Sequence, residues 1–140
     1  MGTVLTFSQF QNDKHNQAMG RLLIFTKDHP PKGEMIHVNI PMAEMLLAVD
    51  EKRRAKSLEQ CLLKIVRQKS ANVVLTDFDV MFNPAYNVDV LKILISVCKV
   101  SPFCVLWPGT FEHGKLLYAD ESSPDHHVFQ IKNYDITCVV

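Results

Sequence analysis

NVVLTDFDVMFN, residues 72–83, is the stretch on which the fold turns. Val73, Val74 and Leu75 form a β-branched and aliphatic run suited to a strand buried on both faces. Thr76, Asp77 and Asp79 then place a hydroxyl and two carboxylates where that strand leaves the core. Ligands of open α/β sheets bind outside the carboxyl ends of the strands, so acids there fit a site at which a carboxylate helps to hold magnesium on a nucleotide. They also fit a strand that simply ends in a solvated turn before Asn83-Pro84.

Working upstream, MIHVNI, residues 35–40, has strand composition, and Pro41 suits the first turn of a helix. Met42, Met45, Leu46 and Val49 then repeat at helical spacing. Ser57 and Gln60 match a capping box that restarts a helix carrying Leu58, Cys61, Leu62, Ile65 and Val66 on one side. The basic run between them, with Lys52, Arg53, Arg54 and Lys56, reads as a solvated connector or as a patch for nucleic-acid phosphates or an acidic partner.

Further upstream, TVLTF, residues 3–7, has strand composition. LLIF, residues 22–25, admits two assignments: a strand over 21–26, favoured by local propensity, or the end of a helix over 14–26. A strand there leaves too few residues for an ordinary parallel crossover to the next one.

Downstream, a largely apolar helix runs from about Pro84 or Asn87 to Val100. Phe103 to Trp107 is a strand ending in Pro108-Gly109, a hairpin turns near Gly114, and residues 128–131 and 136–140 are short final strands. The alternation predicts a single domain over 1–140, a three-layer α/β fold with a mostly parallel central sheet and a short C-terminal β hairpin.

The chain has 140 residues, 47% hydrophobic and 21% charged, with 15 basic and 15 acidic side chains, so no global field favours DNA or an anionic membrane. Cys61, Cys98, Cys104 and Cys138 form no metal-ligand pair and read as buried thiols of a reducing compartment. No apolar run approaches the roughly 20 residues of a membrane span, and a cytoplasmic location is expected.

A phosphate loop is sought upstream of the acidic strand. The best register is Ser8-Gln9-Phe10-Gln11-Asn12-Asp13-Lys14-His15 set against GxxxxGK[ST]. Only Lys14 is kept; Ser8 and Asp13 stand at the glycine positions and His15 at the hydroxyl position. Glycines give such a loop its backbone freedom, and Asp13 would repel a polyphosphate. This register makes residues 14–26 the crossover helix.

DFDVMFNPAYNVDVLKIL, then Trp107-Pro108-Gly109, then GKLLYADESSPDHHVF with Leu116-Leu117-Tyr118-Ala119, resembles the BrxF family of small P-loop proteins from BREX-type bacteriophage-exclusion systems. VNIPMAEMLL resembles the family's region before its acidic strand, and the resemblance spans about residues 35–131. It implies a P-loop NTPase-like fold and a role in multi-protein defence against phage, with other defence proteins as partners. The degenerate loop favours a non-catalytic adaptor, with homo-oligomers allowed and no cofactor, metal or catalytic residue required. Under the alternative of an ATPase subunit, ATP and magnesium would meet Lys14, Asp77 and Asp79; a DNA-binding accessory factor would use Lys52, Arg53, Arg54 and Lys56. Aspartate at 79, where glutamate is usual, shortens any base that polarises water.

Overall fold

The computed structural model describes residues 2–12, 21–68 and 72–140. Along the chain come β1 (Thr3–Leu5), α1 (Phe7–Asn12), β2 (Leu22–Phe25), β3 (Glu34–His37), α2 (Asn39–Leu47), α3 (Arg54–Arg67), β4 (Val73–Thr76), α4 (Val90–Val100) and β5 (Cys104–Leu106). They are followed by β6 (Thr110–Glu112), β7 (Lys115–Tyr118), β8 (His127–Gln130) and β9 (Ile136–Val139). Among the described residues these strands make a six-stranded sheet in the order β1-β9-β2-β5-β4-β3 and a three-stranded sheet β6-β7-β8. Every pairing in the larger sheet is parallel and every pairing in the smaller one antiparallel.

Strand register explains where the core sits. Cys138, Ile24, Val105, Leu75 and Ile36 form one row across the large sheet and are all buried. Because side chains alternate along a strand, this row shares one face, and that face carries α2, α3 and α4. Met42 and Leu46, then Leu58, Leu62 and Ile65, then Leu91, Leu94 and Val97 complete the cluster. Burying a side chain of this size contributes about 1.5–3 kcal/mol, so this face holds most of the fold's hydrophobic stabilisation.

The opposite face carries Leu23, Cys104, Val74 and Met35 in a neighbouring row. Phe10 of α1 meets Phe25 there edge-on at 5.2 Å. Residues 26–33 cross the same face: His29 stacks on Phe7 at 4.7 Å, and Gly33 lies against Val74. Three strand spacings of about 4.8 Å separate β2 from β3, and the return to the start of β3 makes the diagonal about 18 Å. Eight residues reach about 26 Å when extended, so this strap closes a parallel crossover without a helix.

The expectation of a helix over 14–26 is therefore corrected: Leu22–Phe25 is a strand. Its apolar, partly β-branched side chains fit a central position buried on both faces, and the strap removes the objection that the connection is too short. Residues 13–20 lie outside the described residues.

Two other expectations change. The second long helix starts at Arg54, led in by a 3-10 turn at Glu51–Arg53. The Ser57 hydroxyl accordingly donates to the Arg53 carbonyl at 2.9 Å from inside the helix instead of capping it. The apolar helix starts at Val90, where the Asp89 carboxylate accepts from the Lys92 amide at 3.2 Å. The expected final strand is present at Ile136–Val139. All four of its residues are buried, and it inserts between β1 and β2.

Candidate functional site

The carboxyl ends of β3 and β4 stand side by side, since His37 pairs with Thr76. The Val38 amide donates to the Thr76 carbonyl at 3.0 Å, and the Asn39 amide to the Asp77 carbonyl at 2.6 Å. Asp77 has a positive φ of 48°, a conformation that aspartate tolerates better than most residues. This turn brings its carboxylate to 2.5 Å from His37 Nδ1, with both side chains more than half exposed. The Asn39 side-chain oxygen accepts from the Val80 amide at 2.8 Å. It thereby holds the 3-10 turn Asp79–Phe82 against the start of α2.

Asp77 and Asp79 diverge around the buried Phe78. Asp77 meets His37; Asp79 lies near the Tyr118 hydroxyl. Burial raises the Tyr118 hydroxyl's pKa, reinforced by the nearby charges of Asp79 and Asp125. Tyr134 is raised likewise, by burial and by its 2.7 Å hydrogen bond to Asp89.

The space beyond the ends of β4 and β5 is filled by rings. Phe82 stacks on Tyr118 with centroids 3.7 Å apart and planes 8° from parallel, and Trp107 meets Phe82 edge-on at 5.9 Å. Phe129 closes on Trp107 at 5.7 Å. The Trp107 amide donates to the Phe25 carbonyl at 2.8 Å, and its indole nitrogen donates to the Leu117 carbonyl at 2.9 Å. The small antiparallel sheet is thus fastened over the ends of the parallel one.

Sheet order also locates the point at which the chain changes direction. From β2 it passes to β3, β4 and β5 on one side and afterwards to β9 on the other. Crevices at such a switch are the usual ligand sites. The residues that leave β2 are Thr26-Lys27-Asp28-His29-Pro30-Pro31-Lys32-Gly33, not the residues 8–15 that follow β1. The signal available in the sequence was the strand propensity of LLIF.

The phosphate-loop register tested after β1 lies elsewhere. Four strand spacings, about 19 Å, separate β1 from β4. Ser8, Gln9, Phe10, Gln11 and Asn12 belong to α1, whose start is capped reciprocally: the Thr6 amide donates to Gln9 Oε1 at 2.9 Å and the Gln9 amide to Thr6 Oγ1 at 3.1 Å. Lys14 lies outside the described residues.

The basic run divides. Lys52, Arg53 and Lys56 are exposed, whereas Arg54 turns back and donates through Nε to the carbonyls of Leu46 at 2.9 Å and Val49 at 3.2 Å. Arg54 thus satisfies the carboxyl end of α2. The four thiols are free and their pKa values raised by burial, Cys104 to about 11 and Cys138 to about 12. Raised thiols are poor nucleophiles at neutral pH. Among the described residues, no group of three His, Cys, Asp or Glu side chains is placed to share a metal ion, and no helix is long and apolar enough to cross a membrane.

Comparison of the chain with protein families, with curated proteins and with solved structures returns no match.

Proposed function

We propose that this chain is a non-catalytic, P-loop-derived adaptor that works through protein contacts in a bacterial anti-phage system of the BREX kind. The observation that carries the reading is the strap at residues 26–33. A phosphate cradle needs consecutive backbone N–H groups aimed at one point and backed by a helix N-terminus. At the switch point of this sheet the chain supplies neither: Pro30 and Pro31 have no N–H, and the strap runs directly into β3. The rings of Phe78, Phe82, Trp107, Tyr118 and Phe129 occupy the neighbouring crevice. Asp77 holds His37, and Asp79 lies near the Tyr118 hydroxyl, which supports a role for these acids in the fold.

Two measurements test the reading together. Calorimetric titration with magnesium-ATP gives no binding heat, and in a complete defence locus deletion of the chain abolishes protection while Lys14→Ala leaves it intact. Micromolar affinity for magnesium-ATP overturns the proposal.

A further inference from the structure

The small antiparallel sheet has an inner face built into the ring cluster and an outer face open to solvent. On that outer face Thr110, Leu117 and Val128 lie opposite one another across the three strands. They floor a groove of about 490 Å³, and Val128 keeps 46% of its surface exposed.

Charge is not spread evenly along the chain. The whole sequence balances 15 acids against 15 bases. After Trp107, however, come five acids, Glu112, Asp120, Glu121, Asp125 and Asp135, against two bases, Lys115 and Lys132, a net of −3 with histidines neutral. Strand register gathers both bases at one end of the groove. Lys115 lies opposite Glu112 on β6 and Gln130 on β8, and Lys132 follows in the next turn. The other end is lined by Asp120 and Glu121, both exposed. Among the described residues neither carboxylate takes part in an ion pair. His126 beside them directs its Nδ1 to the Ala119 carbonyl at 3.2 Å.

An aliphatic floor thus runs into an end that carries two unpaired negative charges. Such an end repels nucleic acid and anionic lipid and attracts a cation. Leu117 and Asp120 are three residues apart, at most about 10 Å along an extended chain. An occupant that satisfies both carries its aliphatic and cationic groups two or three residues apart.

We infer that the groove receives a short extended segment of another protein, with an aliphatic side chain on Leu117 and Val128 and a lysine or arginine against Asp120 and Glu121. The charges speed encounter and fix the direction of the segment, and the aliphatic contact contributes the non-ionic part of the affinity. This gives the adaptor a partner of stated chemistry and rests on that reading. Peptide binding and ATP binding are measured separately, so failure of one is distinguishable from failure of the other.

Fluorescence polarisation with labelled peptides and the full chain tests the inference. Gly-Leu-Val-Gly-Lys-Lys binds saturably, and more weakly as salt rises, because exposed charges are screened. Gly-Leu-Val-Gly-Glu-Glu, with its charge reversed, and Gly-Ser-Ser-Gly-Lys-Lys, without its aliphatic pair, each bind at least about tenfold more weakly. In Asp120→Lys/Glu121→Lys the preference passes to the glutamate peptide, a swap that loss of folding does not produce. Both positions are exposed, so circular dichroism of the variant matches wild type. Absence of binding by the lysine peptide, equal binding of the three peptides, or a preference that survives the reversal overturns the inference. So does self-association of the wild-type chain that the same reversal abolishes, which makes a second copy the occupant.

Discussion

The Trp107 indole donates to the Leu117 carbonyl at 2.9 Å, and Gly109 lies so close to the same carbonyl that a β-carbon there would collide with it. One backbone oxygen thus ties the strand that crosses the core to the small sheet over it. Replacing Trp107 by phenylalanine keeps most of the ring packing but leaves this carbonyl without its donor, at a cost of about 1–3 kcal/mol. Gly109→Ala wedges the two segments apart and costs as much or more. Urea unfolding checks both: the midpoint falls while the slope is unchanged.

Asp77 at φ 48° carries a conformational demand separate from its charge. Asp77→Asn keeps a side chain that tolerates this backbone and is expected to leave stability within about 0.5 kcal/mol of wild type. Asp77→Ala costs about 1–2 kcal/mol, since alanine pays the full left-handed penalty. Under the proposed adaptor role, phage protection survives Asp77→Asn. Loss of protection in a variant that unfolds at the wild-type midpoint would give the carboxylate a chemical role.

His113 and Gly114 both have positive φ, 50° and 73°, in the two-residue turn between β6 and β7. Asparagine is favoured over histidine at the first position of such a turn. The exposed His113–Glu112 contact at 3.5 Å, which the substitution removes, is worth little. His113→Asn therefore raises stability, by about 0.5 kcal/mol, readable as a higher thermal midpoint.

Alkali weakens the fold through its buried thiols. Between the ordinary value of 9.0 and the raised values of about 11 for Cys104 and about 12 for Cys138, these groups are protonated in the folded chain and ionised in the unfolded one. The unfolded state binds fewer protons there, so stability is intact below the window and falls as pH rises through it. Each thiol contributes up to about 1.4 kcal/mol per pH unit. Cys138→Ala makes the decline shallower. An unchanged slope in that variant would count against the buried-thiol account.

How much of this was legible differs from element to element. Residues 72–83 announced β4 and its acids because a continuous apolar run ending in carboxylates is a local pattern. The apolar faces of α2, α3 and α4 were legible for the same reason, since helical spacing is written in neighbouring residues. Sheet order was not: the placement of β9 between β1 and β2 depends on pairings more than a hundred residues apart in sequence. The loop register at residues 8–15 follows the first strand, which is an edge strand. The motif at Ser57 and Gln60 was present but idle, because the turn at Glu51–Arg53 had already started the helix. Thr6, read as part of a strand, and Gln9, read as part of a degenerate loop, make the capping box that forms. As for Trp107 and Gly109, the sequence displayed the motif, and only the position of Leu117 supplied its reason.

The strap between β2 and β3 also makes this fold a seam at which chain can be added. It spans about 18 Å with roughly a third of its reach in reserve, and its Pro30-Pro31 stretch lies outside the strand ladders. Lengthening a connection twofold costs only about 0.6 kcal/mol in closure entropy. A glycine-rich loop and a helix of ordinary length could thus be spliced in at Pro30-Pro31 without disturbing β2 or β3. Scaffold and chemistry are separable in this protein at a single, short, surface-lying junction.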